Sequence, residues 1–168
     1  MKTERLKEVS FNNKTKQILV SYTSGKEVTV HYGQVGIKKN ILRAWVDPET
    51  GKRSLGFEFS DGTQDFMPYD QPLAVARDPE FLLQTHVELL TAKIKDELKK
   101  QGISKRFLAT RLGTSDNQIQ RLLNPEILNK NLEQLYGIAA LLGLEMEFHL
   151  KNASPEDSGH HRKKASGE

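Results

Sequence analysis

Gly102 to Pro125 reads GISKRFLATRLGTSDNQIQRLLNP, and the placement of its glycines, hydroxyls and apolar residues leaves little freedom. Ser104 is a side-chain cap ahead of a short helix, Lys105–Leu112, whose buried side is Leu108, Ala109 and Leu112. Gly113 supplies the tight turn. Thr114 or Ser115 then caps a second short helix that runs to Leu123, with Ile119, Leu122 and Leu123 turned inward. Ala109 stands four residues before the glycine and Ile119 six after it. The small side chain lets the second helix approach closely, and the isoleucine fills the angle between the two.

Two short helices joined by a glycine turn with this spacing form a helix-turn-helix. A plain helical bundle satisfies the same periodicity, and the Ala–Gly–Ile constraint separates the two readings. Downstream, Leu132–Leu142 reads as a further helix with Leu132, Leu135, Ile138, Ala139 and Leu142 on one side, stopped by Gly143. Glu145–Leu150 (EMEFHL) alternates strictly and predicts a strand with Met146, Phe148 and Leu150 on one face. That strand has two options, to pair with its own copy across a two-fold axis or to join another sheet of the chain. Upstream, Asp78 and Pro79 suit the start of a helix that meets no glycine or further proline until Gly102. Leu83, Val87, Leu90, Ile94 and Leu98 lay one apolar stripe along it. A single helix over 79–101 would span about 35 Å, and two helices meeting near His86 fit the pattern equally.

Further back the periodicity changes from helical to alternating. LKEVSF, QILVSY, EVTVHY, ILRAWV, SLGFEF and QDFMPY, between Leu6 and Tyr69, are strand-length pieces with β-branched and aromatic enrichment. Turn chemistry separates them: Gly25 and Gly62 sit where hairpins need positive φ, Asp47–Gly51 is a longer turn, and residues 33–40 read as a loop. His31 reads as a solvent-facing residue, Asp61, Asp65 and Asp70 as turn and surface residues, and Trp45 as core or an inter-domain contact. The fold class is therefore α+β. A small antiparallel β domain over 1–72 is followed by a long linking helix and a four-helix domain over 78–151 that ends in a strand. Residues 152–168, low in apolar side chains, read as a disordered tail.

Composition narrows the function. The chain has 168 residues, no cysteine, and 25 Lys plus Arg against 22 Asp plus Glu. A disulfide scaffold, a thiolate zinc site and a thiol nucleophile are excluded. No run approaches the roughly 18 apolar residues of a membrane span, and the N-terminus lacks an apolar signal segment, so a cytoplasmic location is expected. The net charge of +3 is too small to name a partner, but its distribution is uneven. Between Thr91 and Leu123 stand eight bases and three acids, a net of +5 in 33 residues. A solvated helix face explains such a run by itself; its coincidence with the helix-turn-helix points to nucleic acid. No paired nucleophile and base, metal-spaced cluster or phosphate loop is present, so no enzyme, cofactor or metal is expected.

The quoted stretch, together with NLEQLYGIAALLGLEMEFHL at 131–150, resembles the Xre (phage repressor and Cro-like) helix-turn-helix superfamily. Within it the chain is most similar to the DNA-binding domain at the C-terminus of HicB-type antitoxins. The shared features are I-S-x-x-x-L-A-x-R-L-G, the R-L-L-N-P end of the second helix, and a last helix closing A-L-L-G-L into an alternating strand. The resemblance covers Leu89 to Lys151, about 60 of the 168 residues, and the first half lacks the usual HicB pattern. It implies that the second helix enters the major groove while the start of the first abuts the phosphates. The implied DNA-binding set is Lys105, Arg106, Thr114, Ser115, Asp116, Asn117, Gln118, Gln120, Arg121 and Asn124. Asn117 or Gln120 would pair bidentately with adenine and Asp116 would accept from a cytosine amino group, each contact worth about 1–3 kcal/mol of discrimination. Lys105 would hold a phosphate at the first helix's N-terminus, with Arg106, Arg111, Arg121 and Asn124 as further backbone contacts.

One such motif covers about half an operator, so a homodimer with recognition helices roughly 34 Å apart is expected. The leading reading is a bacterial transcriptional regulator, a repressor of double-stranded DNA whose β domain senses a small ligand or binds a partner. The alternative is an antitoxin that binds a toxin and represses its own operon.

Overall fold

The computed structural model describes residues 4–152. The chain forms two compact units, one ending at Asp78 and one spanning Pro79–Lys151. In the first, six strands build two antiparallel three-stranded sheets. One is ordered β1 (Leu6–Asn12), β2 (Gln17–Tyr22), β3 (Glu27–His31), the other β4 (Ile41–Val46), β5 (Ser54–Phe59), β6 (Gln64–Pro68). Alternation sets the inner faces: Ile18, Val20 and Tyr22 of β2 and Val28 and Val30 of β3 are buried, and so are Leu55, Phe57 and Phe59 of β5. The stretch expected as a loop contains a single 3₁₀ turn, Tyr32–Val35, and the segment after β6 forms a short helix, α1 (Gln71–Val75), with Leu73 buried.

The two sheets are copies of one unit. Moving β2 and β3 forward by 37 positions turns 17–22 into 54–59 and 27–31 into 64–68, the bounds of β5 and β6. The hairpin turns match bond for bond: Gly25 (φ +90°) donates to the Tyr22 carbonyl as Gly62 (φ +79°) donates to that of Phe59. Tyr32 N–H donates to Lys16 O and Tyr69 N–H to Arg53 O, both at 2.8 Å. Both first strands carry a register shift, between Leu6 and Glu8 and between Ile41 and Arg43. The copies grip each other reciprocally. Leu6 N–H donates to Lys52 O in the β4–β5 turn, and Ile41 N–H donates to the Asn13 side-chain carbonyl in the β1–β2 turn. Tyr22 adds a bond from its hydroxyl to Tyr69 O at 2.7 Å. Burial, reinforced by the carboxylates of Glu4, Asp70 and Asp78, pushes the Tyr22 phenol well above its ordinary pKa.

The outer faces of the copies differ. Leu19 in β2 corresponds to Gly56 in β5, and Thr29 in β3 to Phe66 in β6. Trp45 lies across Gly56, where an added Cβ would stand 2.2 Å from the indole. It meets Phe66 edge-on at 6.0 Å and carries the Arg43 guanidinium 4.7 Å from its ring centre. Trp45 is thus not a core residue, because the missing side chain at Gly56 gives the indole a bed on the sheet surface. His31 is exposed at the end of β3. Asp61, in the Gly62 turn, accepts from Thr63 and pairs with Lys39, which holds its carboxyl below the usual carboxylate range.

The second unit begins with one unbroken helix, α2 (Pro79–Gln101), followed by α3 (Lys105–Arg111), α4 (Asp116–Leu123) and α5 (Leu132–Leu141). Its core joins Ile94 and Leu98 of α2, Leu108 and Ala109 of α3, Ile119, Leu122 and Leu123 of α4, and Leu135, Ile138 and Leu142. Leu112 packs against it half-buried. Gly102, Gly113 and Gly143 end their helices at φ +66°, +62° and +68°, a conformation that costs a side chain and suits glycine.

Three expectations need correction. Leu132 is 58% exposed, because it opens α5 and overhangs the core. Leu83 is 47% exposed, so the buried stripe of α2 is Val87, Thr91, Ile94 and Leu98. Glu145–Leu150 forms no strand, since a strand needs a ladder partner and no described segment supplies one. The expected tail lies, from residue 153 on, outside the described residues.

Candidate nucleic-acid interface

The α3–α4 pair is held by caps at each start. Ser104 Oγ accepts from Phe107 N–H and Ser115 Oγ from Gln118 N–H, both at 3.1 Å. Thr114 N–H returns to Ala109 O at 2.9 Å, closing the glycine turn over the small side chain. With Ile119 fully buried, α4 turns Asp116, Asn117, Gln120 and Arg121 to solvent. Gly137 of α5 runs so near α3 that an added Cβ would lie 2.7 Å from Leu112 Cδ2. The α4 helix is itself held by Ile119, Leu122 and Leu123, which enter the common core.

Five of the sequence-derived site residues converge. Lys105, Asn117, Gln120, Arg121 and Asn124 line one open concavity of about 640 Å³, together with Lys95, Leu123, Pro125 and Ile127. The side chains of Lys105, Asn117, Gln120 and Arg121 make no hydrogen bond or ion pair with any described residue. Their donors and acceptors are available to a ligand. Asp116 sits in the first turn of α4, where free N–H groups favour a carboxylate, and it is not paired with Arg121.

The other site residues are placed differently. Gln118 donates its amide to Gln134 of α5 at 2.9 Å and lines a second, smaller concavity with Arg121, Asn129, Lys130 and Asn131. Ser115 uses its oxygen as the α4 cap, and the Asn124 side chain accepts from Glu126 N–H at 3.0 Å as the chain leaves the helix. Arg106 and Thr114 line neither concavity; Arg106 is exposed and Thr114 half-buried. Arg111 stacks over Phe107 at 5.8 Å.

Lys95 and Lys130 are the residues the sequence reading left out of the site. Lys130 donates to the carbonyls of Arg121 and Asn124, capping the negative end of α4 with a cation. Burial and the nearby Lys95 charge push its pKa down. Lys95 was visible as part of the basic run, but its approach to α4 depends on the crossing of α2. Nothing local in the sequence marks Lys130.

A glycine turn between capped helices, with unpartnered Asn117, Gln120 and Arg121 on the second, defines a helix-turn-helix unit. Residues 94–149 match the family model described as Helix-turn-helix and form an Xre-like DNA-binding domain, while the N-terminal half is unmatched. No curated protein and no solved structure matches the chain. Among the described residues no helix is long and apolar enough to cross a membrane.

Proposed function

We propose that the protein is a sequence-specific transcriptional repressor that binds operator DNA as a homodimer, with α4 as the recognition helix. The observation that carries this reading is the concavity in which unpartnered Asn117 and Gln120 are flanked by Lys95, Lys105 and Arg121. An exposed amide offers a donor and an acceptor side by side, the pattern that adenine presents in the major groove. Lys95, Lys105, Arg106 and Arg121 take phosphates, Ser115 and Thr114 lie where α4 meets the strand, and Asp116 accepts from a cytosine amino group. Gln118 and Asn124 act as positioning residues through their bonds to Gln134 and Glu126. Repression follows from occupancy of the operator. The β unit, a separate domain in this reading, serves ligand sensing or partner binding.

The test is fluorescence-detected binding to the DNA upstream of the protein's own gene across a salt series. Specific binding weakens with salt at a slope set by the phosphates contacted. Asn117→Ala should relax specificity by about 1–3 kcal/mol at one base pair per half-site, while Lys105→Ala weakens binding to all sequences and lowers the salt slope by about one. Absence of binding to any duplex at low salt overturns the proposal.

A further inference from the structure

Residues 145–151 read Glu-Met-Glu-Phe-His-Leu-Lys. They follow α5 in an irregular conformation and make no backbone hydrogen bond to another described residue. Of their apolar members Phe148 is 70% and Leu150 99% exposed, while Met146 is half-buried. The patch continues onto α5, where Leu132 is 58% and Tyr136 44% exposed, and the Tyr136 and Phe148 rings stand 6.3 Å apart. A segment with strand alternation, free backbone groups and an uncovered apolar face lacks a ladder partner.

The order of its residues says what that partner is. Placed antiparallel against a second copy of itself and centred on Phe148, the segment brings Glu145 opposite Lys151, Met146 opposite Leu150, and Glu147 opposite His149. The two-fold axis repeats each pairing, so four acid–base pairs lie on one face and only apolar contacts on the other. Directly opposed residues in an antiparallel ladder share a face. A one-residue slip therefore sets every charged residue against an apolar one. Shifting the centre to Glu147 opposes two carboxylates, and shifting it to His149 opposes two imidazoles; only the Phe148 centre matches every position.

We infer that residues 145–151 form an intermolecular antiparallel ribbon about Phe148, with Leu132 and Tyr136 of α5 beneath its apolar face, and that this ribbon is the homodimer interface. The inference rests on the homodimer proposed above. It assigns the exposed apolar face to a second copy of this chain rather than to the chain's own β sheets or to DNA.

The test is sedimentation of the full-length protein without DNA, using charge-swapped chains. Glu145→Lys with Glu147→Lys makes the segment basic throughout, and His149→Glu with Lys151→Glu makes it acidic throughout. Each variant alone should dimerise about tenfold or more weakly than the wild type, because the acidic variant sets carboxylates against each other at four positions and the basic variant sets ammonium groups against each other at two and loses every acid–base pair. An equimolar mixture should regain wild-type affinity as a heterodimer. Since the substituted side chains are exposed, circular dichroism of each variant should match the wild type. A wild type that stays monomeric, variants that self-associate undiminished, or a mixture with no heterodimer each overturn the ribbon. A monomeric wild type removes the homodimer of the proposed function as well, whereas the other two outcomes overturn the ribbon alone; base reading by α4 is measured separately as half-site binding by the monomeric variants.

Discussion

Ser115 caps the helix that would read DNA and also stands where that helix would meet the phosphates, so two substitutions separate the roles. Its hydroxyl oxygen accepts from Gln118 N–H at 3.1 Å, satisfying one of the free N–H groups of α4. Ser115→Ala leaves that donor without its partner at a cost of about 1 kcal/mol, or roughly fivefold in the folding equilibrium. Because α4 has only eight residues, fraying of its first turn displaces Asp116 and Asn117 directly. Ser115→Asp keeps a cap oxygen and adds a charge suited to the helix N-terminus, so stability should hold within a few tenths of a kcal/mol, a size set by the similar cap rank of aspartate and serine. The same carboxylate repels phosphates, and DNA affinity should fall below that of Ser115→Ala. Urea unfolding followed by the helical circular-dichroism signal reads the first quantity, and fluorescence binding at fixed salt reads the second. A Ser115→Ala midpoint equal to the wild type refutes the capping argument; undiminished DNA affinity in Ser115→Asp refutes the placement near phosphate.

Two further predictions concern the β unit. Gly56→Ala places a Cβ 2.2 Å from the Trp45 indole and should cost about 1–3 kcal/mol by overpacking; adding Trp45→Ala should recover most of it, as thermal unfolding of the single and double variants would show. The Tyr22 phenol has its pKa raised by burial and neighbouring carboxylates, so the folded state holds its proton more tightly than the unfolded chain. That contribution is complete below the ordinary tyrosine value of about 10 and is lost as pH rises above it. Tyr22→Phe should therefore flatten the alkaline loss of stability in denaturant titrations from pH 9 to 11, and an unchanged slope would contradict the assignment.

The strands were legible because alternation is a local signal: all six began where the patterns placed them, within a residue or two at the far ends. The helix-turn-helix was legible for a related reason, since caps and glycine turns are written in adjacent residues. The duplication was not. The two copies share pattern and turn chemistry but differ in side chains, with Leu19 answering to Gly56 and Thr29 to Phe66. That Trp45 is not a core residue was hidden for the same reason, as its bed at Gly56 comes from the neighbouring strand. In the candidate site, Lys105, Asn117 and Gln120 came from the resemblance to the Xre superfamily, carried position by position onto α3 and α4. The Gln118–Gln134 bond and the approach of Lys95 and Lys130 depend on contacts made at long range, which counting along a helix does not reveal. Glu145–Leu150 shows the converse: the strand pattern is plain, but no described strand pairs with it.

The central claim, that α4 reads base sequence, is tested most directly by selecting binding sites from random duplexes with the wild type and with Asn117→Ala. The wild type should enrich a two-fold symmetric site with half-sites about 10–10.5 base pairs apart, centre to centre, and Asn117→Ala should lose preference at one position in each half while keeping the others. Selection of no sequence by the wild type, or of an identical site by the variant, would contradict the account.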